Sequence, residues 1–492
     1  MAGKFLKFFS PMVRVMPEIK QPQREVRFKE KFIWTFVILI VFLIMSHVPL
    51  YGVELQQSTD YFFWLRVILA SSRGTLTELG IGPIVTAGLI MQLLQGSKMV
   101  KIDLNDPYDR SLFSGTQKAL AMILTSFNAL MYILGGQFGD VGFSDGMFIF
   151  LQLFFAGMLI ILMDELLQKG WGLGSGVSLF IAANIAGQIF WNCFSFIPTS
   201  TVDADGLPRG IVIAFFTVLF DNDPTTTLGT LWTRGTGQLP SLLGSVMTLT
   251  IFVIVIWFES TRVEIPLQYK GYKGFKGKYP MKLLYVSNIP VILVNAFYAT
   301  FLFFGQWLCG PTGLLRGAGV PDFWVDLIGR FDTTPTQADS GGNYLSPVYG
   351  LLYYLTPPRG LDELASNPVR IIFYLPIFIF LCIKLGKMWV SVSGLSPRDV
   401  AGQIIDSGMQ IPGFRSSEKI IERILKRYIP TLIVLNGIII ALLSFFADGL
   451  GALTSGTGLL IAIGITHQYA ETISKELAAS QYPGMRALLG MD

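Results

Sequence analysis

The fold of this chain is decided by the stretch TLTELGIGPIVTAG, residues 75–88. The stretch belongs to an apolar window long enough to cross a bilayer, yet it mixes glycine, proline, threonine and glutamate with its aliphatic residues. Lipid alone does not favour such a composition, because small and polar residues are enriched where a membrane helix packs against protein or lines a cavity. Residues 75–88 therefore predict a membrane span that faces the interior of a helix bundle.

The composition of the whole chain agrees with a bilayer environment. Of the 492 residues, 52% are hydrophobic and only 14% are charged, whereas soluble domains carry roughly a quarter charged residues. Ten apolar windows are long enough to span the membrane, and they cover residues 33–53, 76–95, 117–137, 146–167, 175–195, 242–262, 287–309, 368–391, 429–447 and 453–474. Of the 37 Lys and Arg, 29 fall on the side of the amino terminus and 8 on the other, so the positive-inside rule predicts that both termini are cytosolic.

The predicted fold is an all-α polytopic membrane protein with ten transmembrane helices. The fifth and tenth windows open with the glycine-rich runs GLGSG, residues 172–176, and TSGTG, residues 454–458, at equivalent positions of two five-helix halves. The pattern indicates either an internal repeat, which is common in membrane conduits, or the chance effect of 51 glycines. Neither run is a nucleotide-binding loop, because each lies beside a membrane span and lacks the lysine of such a loop.

The windows divide the chain into segments. Two five-helix halves are predicted, at residues 33–195 and 242–477. They are flanked by a cytosolic amphipathic amino terminus at 1–32, a luminal loop at 196–241 and a cytosolic tail at 478–492. The second half carries cytosolic loops at 262–286 and 391–428 and a luminal loop at 310–367, and residues 262–282 are typical of a basic hairpin.

A short apolar run, YFFWLRVILA, follows the first window at residues 61–70 and carries an arginine in its middle. It is too short to cross a bilayer, so it is either interfacial or re-entrant. One interpretation is an amphipathic helix on the luminal leaflet, and the other is a short helix folded back into a cavity.

Catalytic chemistry is missing from the predicted spans. An intramembrane enzyme needs a nucleophile with a base, a metal-binding set or paired carboxylates, but the two histidines, His47 and His467, lie on different spans and the three cysteines are scattered. An ion-coupled carrier needs ionisable groups near the midplane, whereas Glu78, Asp164 and Glu259 lie towards span ends. The sequence thus predicts neither an enzyme nor a metal or cofactor site.

Aliphatic pairs recur on two of the spans. Ile81 and Val85 are four residues apart and share a helix face, and so do Val177 and Ile181. The spacing fits ordinary helix packing, and it equally fits the lining of a narrow apolar conduit.

Several short motifs resemble one family in order and spacing. They are GLIMQLL at 88–94, DELLQKG at 164–170, GSGVSLF at 174–180, YPMKLLY at 279–285, SNIP at 287–290, SPRDVA at 396–401 and GTG at 456–458. Together they resemble the SecY family, in its eukaryotic endoplasmic reticulum branch. The resemblance covers all ten windows and is weakest at residues 310–345, which are longer and more diverged than usual.

The resemblance implies two pseudo-symmetric five-helix halves around a central pore, with a waist of aliphatic side chains and a short re-entrant plug helix near 58–73. The ring residues are Ile81, Val85, Val177, Ile181, Ile292 and Ile461. The plug residues are Tyr61, Phe62, Phe63, Trp64, Leu65, Arg66, Val67, Ile68, Leu69 and Ala70.

The resemblance also implies a lateral gate between the second and third spans and the seventh and eighth. A polar cluster that tunes this gate corresponds to Thr86, Asn128 and Thr300. The family commonly has glutamine at the second of these positions and asparagine at the third, so Asn128 and Thr300 depart from the pattern. Asn295, about one and a half turns from Thr300, offers another amide.

Basic residues on the two cytosolic loops correspond to ribosome contacts in the family. They are Lys270, Lys273, Lys276, Lys278 and Arg415, the last lying beyond Pro412, where relatives often have a basic residue. Without the resemblance, the same charges fit the positive-inside rule and contact with anionic lipid.

The implied function is a protein-conducting channel of the endoplasmic reticulum membrane, which moves secretory chains across it and releases signal sequences and membrane helices sideways. The implied partners are beta and gamma subunits in a heterotrimer, the ribosome with its RNA and exit proteins, nascent chains, membrane lipid, and post-translational accessory subunits with a luminal chaperone. The alternative function is a polytopic secondary solute transporter.

Overall fold

The structure is a computed structural model that describes residues 4–24, 26–53, 66, 69–96, 107–134, 138, 142–196, 207–220, 228–232, 234, 239–269, 276–309, 315, 320–335, 343–358, 360–407, 409–410 and 418–481. Its helices are α1 Lys4–Val15, α2 Phe28–His47, α3 Gly82–Gly96, α4 Pro107–Leu134, α5 Phe143–Leu166, α6 Gly176–Phe194, α7 Ile211–Phe220, α8 Leu228–Trp232 and α9 Leu242–Ser260. They continue with α10 Ile289–Cys309, α11 Asp322–Ile328, α12 Leu351–Leu355, α13 Gly360–Ser366, α14 Pro368–Val392, α15 Pro397–Asp406, α16 Glu418–Gly449 and α17 Gly456–Gln481. The strands are β1 Arg262–Tyr269, β2 Lys276–Lys282, β3 Arg330–Pro335, β4 Asn343–Tyr349 and β5 Met409–Gln410.

The mostly helical membrane fold is confirmed. Each of the ten predicted windows overlaps one helix, namely α2, α3, α4, α5, α6, α9, α10, α14, α16 or α17. Within the described part of the chain, six helices are long and apolar enough to cross a membrane: Ser111–Leu134, Phe143–Trp171, Gly176–Phe194, Leu242–Ser260, Pro368–Ser391 and Glu418–Gly449. A total of ten spans stays a prediction.

Two boundaries differ from the predicted windows for local reasons. The helix α3 begins at Gly82 because residues 71–81 form tight turns, with Gly80 at φ +52° and its N–H donating to the carbonyl oxygen of Thr77. The helix α16 begins at Glu418, well before residue 429, because its first turns bury Ile421 and Leu425 against the hairpin and α15.

Two small antiparallel sheets lie outside the spans. The predicted hairpin is confirmed as β1–β2, in which Arg262 pairs with Lys282 and Gln268 with Lys276, and β5 adds a third strand beside Gln268 and Tyr269. The second sheet, β3–β4, lies in the predicted luminal loop 310–367. We call the side of the helix bundle that carries β1–β2 the hairpin side.

Two large apolar clusters form most of the core, and α17 belongs to both. Ile461 and Ile465 of this helix pack with α2, α3, α5 and α6, whereas Leu460 and Ile463 pack with α9, α10, α14 and α16. On the hairpin side, Lys31 of α2 pairs with Glu476 of α17 at 2.6 Å, and the Tyr469 hydroxyl donates to the carbonyl oxygen of Ser175 at 2.7 Å. The halves are thus joined through α17.

The helices α6 and α17 both begin at the glycine singled out in the sequence. A Cβ at Gly176 would lie 2.7 Å from the Cα of Asp164, and one at Gly456 would lie 2.3 Å from the carbonyl oxygen of Ser444. In each case a carboxylate at the end of the preceding helix accepts a backbone N–H: Asp164 accepts from Val177 at 3.0 Å, and Asp448 from Gly456 at 2.8 Å. Only glycine allows this close approach of the two helices.

The amino-terminal segment crosses the hairpin side of α4 and α5. Val13 of α1 packs against Gly115, and residues 17–20 follow as a strap held by long side chains of the bundle. Lys118 donates to the carbonyl oxygen of Pro17, Lys169 donates to Glu18 at 2.6 Å, and the Trp171 indole donates to the carbonyl oxygen of Lys20 at 2.9 Å. The hydrogen bond from Lys169 lowers the pKa of Glu18.

Candidate functional site: the apolar waist and its plug

All six predicted ring residues lie in one apolar cluster. Ile81, Ile181 and Ile461 are buried, and the other three pack against them from α3, α6 and α10: Val85, Val177 and Ile292. An apolar cluster of this kind offers no polar group to a passing ion or peptide.

The backbone around the waist is held by polar groups outside it. The Asn288 side chain donates to the carbonyl oxygen of Leu460 at 2.7 Å, next to Ile461, and its own backbone carbonyl oxygen accepts the N–H of Ile292 at 3.2 Å. Asn288 therefore ties the first turn of α10 to α17. Sequence reasoning missed this role, although Asn288 lies inside the quoted SNIP motif.

Val177 is held in a comparable way by Asp164. The Asp164 carboxylate is buried, accepts the Val177 N–H at 3.0 Å and also accepts a hydrogen bond from Gln168 at 2.7 Å. A carboxylate at this position caps the start of α6, where backbone N–H groups lack partners within the helix.

We expect Asp164→Ala to destabilise the protein by about 1–3 kcal/mol, because it leaves the Val177 N–H and the Gln168 amide without their acceptor. Thermal unfolding of the detergent-purified protein measures this change. The control is Asp145→Ala, which removes an exposed carboxylate from the first turn of α5. Equal unfolding temperatures for the two variants would contradict the capping role of Asp164.

The end of the predicted plug packs against the predicted ring residues. Of its ten residues, Arg66, Leu69 and Ala70 are described, and Tyr61, Phe62, Phe63, Trp64, Leu65, Val67 and Ile68 lie outside the described residues. Ala70 is buried in the same cluster as Ile81 and Ile181. The Ile81 N–H donates to the carbonyl oxygen of Leu69 at 2.8 Å, so the plug and the ring are joined through the backbone.

Two glycines allow this approach. A Cβ at Gly80 would lie 2.1 Å from the carbonyl oxygen of Leu69, and one at Gly82 would lie 3.2 Å from the Leu69 side chain. Contact with the plug therefore requires glycine at position 80, and a side chain at position 82 would press against Leu69.

A buried ion pair also fixes the plug. Arg66 and Glu78 are 7% and 1% exposed, and the Arg66 Nη2 lies 2.7 Å from the Glu78 Oε1. Arg66 also donates to Ser71 at 3.1 Å, and the Gly74 N–H donates to the second Glu78 oxygen. Sequence reasoning noted both charges separately. The two residues have opposite charges, and each lies within an apolar stretch. This combination is the sequence signal for a buried ion pair.

The predicted gate residues lie on three different helices, α3, α4 and α10. The helix α3 contacts both α4 and α14. Thr86 is exposed and donates to the carbonyl oxygen of Gly82 within α3 at 2.9 Å, and Asn128 is half-buried on α4. Thr300 lies within α10, and its side chain is outside the described part. Asn295 does not replace it across the gate, because its amide donates to Thr457 of α17.

Of the predicted ribosome-contact residues, Lys276 and Lys278 lie on β2. Lys278 is exposed and pairs with Glu264 across the hairpin. Lys276 is in β2 with its side chain outside the described part, and Lys270, Lys273 and Arg415 lie outside the described residues. Pairing of β5 with Tyr269 brings the chain that leads to Arg415 beside the chain that leads to Lys270.

Comparison with known proteins agrees with this geometry. The SecY family profile matches residues 75–470, and the plug domain profile of Sec61p matches residues 40–74. A solved protein-conducting channel is 35% identical, with 96% of this chain and 98% of that chain covered and a TM-score of 0.72.

Two further solved structures are similar. Sec61 in the canine ribosome-channel complex from the endoplasmic reticulum is 33% identical, with 96% of this chain and 97% of that chain covered and a TM-score of 0.69. The idle yeast Ssh1 complex bound to the 80S ribosome is 24% identical, with 96% and 94% covered and a TM-score of 0.70, and it supports the fold alone. With a plug-domain match, a profile match over most of its length and a solved channel at 35% identity, this chain belongs to the SecY family of protein-conducting channels.

Proposed function

We propose that this channel moves nascent secretory polypeptides across the endoplasmic reticulum membrane and releases signal sequences and membrane helices sideways into the lipid. The observation that carries the proposal is the convergence of six aliphatic side chains from four segments on one cluster, with the end of the plug against it. The canine channel with 33% identity comes from the same membrane. The comparisons give no support to the solute-transporter alternative, and the matched family consists of channels, not enzymes.

In this proposal Ile81, Val85, Val177, Ile181, Ile292 and Ile461 form the ring that seals the resting pore, and the segment Tyr61 to Ala70 closes its luminal side. A translocating chain displaces the plug and is gripped only by aliphatic contacts, so no sequence is held back by hydrogen bonds.

Sideways release is proposed to occur between α3 with α4 and α10 with α14, with Thr86, Asn128 and Thr300 at the seam. A signal sequence is an apolar helix, and its move from the pore into lipid is favoured by roughly 25 cal/mol for each Å² of apolar surface removed from water. The channel has only to open a side exit. Energy for threading comes from the ribosome or a luminal chaperone.

We also propose that the channel works as a heterotrimer with beta and gamma subunits, with both termini in the cytosol, and binds the ribosome through its hairpin side. Support comes from the excess of Lys and Arg on that side and from β5, which joins the two basic loops into one sheet. Lys270, Lys273, Lys276, Lys278 and Arg415 are the proposed contacts to ribosomal RNA phosphates. Post-translational accessory subunits complete the proposed partners.

We expect the charge reversals Lys273→Glu and Arg415→Glu to weaken ribosome binding and to make it less dependent on salt. Each lysine or arginine that no longer neutralises a phosphate lowers the slope of log affinity against log salt by about 0.7–0.9. Co-sedimentation of the reconstituted complex with ribosomes over a salt series measures both effects.

The matched control for these reversals is Lys20→Glu with Lys29→Glu, which makes the same change in net charge at exposed positions outside the sheet. If the loop variants and the control bind equally well, the basic loops face lipid or solvent and not the ribosome.

The function itself is tested with the purified heterotrimer in proteoliposomes. We expect a ribosome-bound secretory precursor to become protected from added protease, and a precursor with a membrane helix to become resistant to alkaline extraction. Accumulation of a small solute by the same vesicles, without protection of the precursor, would instead favour a transporter.

A further inference from the structure

A patch of large apolar side chains is exposed on the unit formed by α11, β3, β4 and α12, which we call the connecting unit. The helix α11 exposes Phe323, Trp324 and Leu327 by 71%, 58% and 54%. Phe323 and Leu327 are four residues apart on the face opposite the buried Val325, and Trp324 flanks them. Leu351 of α12 is 63% exposed. A soluble surface rarely carries such a contiguous apolar patch without a binding partner.

Contacts with α10 show how far along the helix bundle the connecting unit lies. This helix runs from the hairpin side to the opposite side of the bundle and ends at Cys309. Leu302 of α10 belongs to the core of the connecting unit, together with Val325 and Leu352. Leu302 lies two turns before the end of α10, or about 10 Å along its axis. The unit therefore lies beside the last turns of α10, one of the predicted spans, and not beyond them.

Contacts with α14 place the connecting unit at the same level of the helix bundle, beside the first turns of α14. Arg370, in the first turn of α14, donates to the Thr356 hydroxyl at 2.7 Å and lies 4.2 Å from the ring centroid of Tyr353. The rings of Tyr354 and Phe373 are 5.5 Å apart. Phe373 and Ile372 are themselves 53% and 68% exposed on a helix apolar enough to cross the membrane. Through Tyr354, α12 of the connecting unit thus contacts the exposed apolar surface of α14.

We propose that the connecting unit dips into the bilayer leaflet opposite the hairpin side, with Phe323, Trp324 and Leu327 among the acyl chains just below the headgroups. Tryptophan and other aromatic side chains favour this layer, because their rings are apolar and their edges are polar. A helix with one apolar and one polar face lies flat at such a boundary, and α11 carries the polar residues Asp322 and Asp326 away from its exposed apolar side chains. The proposal rests on the spanning fold and holds whether or not the ribosome binds the other side.

The test is lipid quenching of a fluorophore in the full chain, assembled with its partner subunits in phosphatidylcholine and phosphatidylserine vesicles. An environment-sensitive NBD group is attached at Phe323→Cys, at Leu327→Cys and, as the matched control on the acidic face, at Asp322→Cys. The background carries Cys193→Ser, and Cys309 and Cys382 stay because both are buried. The unmodified background controls for labelling at these two thiols.

We expect the probes at positions 323 and 327 to be blue-shifted and to lose most of their emission to nitroxides on the lipid chains. The probe at 322 should respond instead to aqueous iodide. If iodide quenches all three probes equally, the patch lies in water and the proposal is wrong. If neither quencher reaches 323 and 327, a protein covers the patch and the proposal is also wrong.

Discussion

Replacing Ile81, Val85 and Ile181 together by glycine is expected to convert the idle channel from electrically silent to ion-leaking. Ile81 and Ile181 are buried in one apolar cluster, and Val85 packs against it. Their removal widens the constriction and exposes backbone, so water and then ions can enter a bore that dewetting had kept closed. The current across a planar bilayer that contains the purified heterotrimer, without ribosomes, measures the change.

Truncation of large core residues also destabilises any membrane protein, so a matched variant is needed. Ile38, Ile149 and Ile160 are buried aliphatic residues that lie on α2 and α5 outside the ring. Their replacement by glycine removes the same number of methyl groups and should lower the stability by a comparable amount. It should, however, produce no ion current across the bilayer. Equal leaks from both variants, or none from the ring variant, would contradict the ring assignment.

Breaking the ion pair between Arg66 of the plug and Glu78 in the turns before α3 is expected to unseat the plug. In Arg66→Met the Glu78 carboxylate stays 1% exposed without its cation as long as the plug is seated. Removing one partner of a buried pair typically costs about 3–5 kcal/mol, which corresponds to a shift of roughly 100-fold or more towards the displaced plug. The readout is the rate at which a membrane-impermeant maleimide modifies the reporter Ala70→Cys, whose site is buried when the plug is seated.

Two further variants test whether charge is the cause. Arg66→Met combined with Glu78→Leu should recover most of the protection, because apolar residues of similar volume often replace a buried pair at little cost. Arg330→Met removes an exposed arginine from β3 and should change nothing. If Arg66→Met leaves the protection of the reporter intact, backbone and apolar contacts alone hold the plug.

Much of this architecture could be predicted because membrane solvation leaves a strong pattern in sequence. Each apolar window overlaps a helix, since a backbone in lipid must satisfy its hydrogen bonds within the span. The glycines at 80, 82, 176 and 456 stand out in the sequence at the starts of apolar windows. In the structure, each lies where another backbone or side chain approaches closely. The resemblance added the ring positions, which the structure brings into one cluster.

What could not be predicted depends on pairing between distant segments. The ion pair of Arg66 with Glu78 joins residues on either side of a turn, and nothing in their spacing reveals that turn. The amide of Asn295 could not be assigned from helix spacing, because its acceptor, Thr457, lies on α17. Similarly, β5 is only two residues long, and its pairing with β1 depends on a cluster built from α15 and α16.

The amino-terminal strap has a consequence for biogenesis. Residues 17–20 leave the ribosome early, but the groups that hold them, Lys118, Lys169 and Trp171, are made about 100–150 residues later. At 5–20 residues per second the strap waits roughly 8–30 s for its last anchor. During this interval residues 17–20 lack these three contacts, and docking of the strap can be complete only after the first four predicted spans have been made.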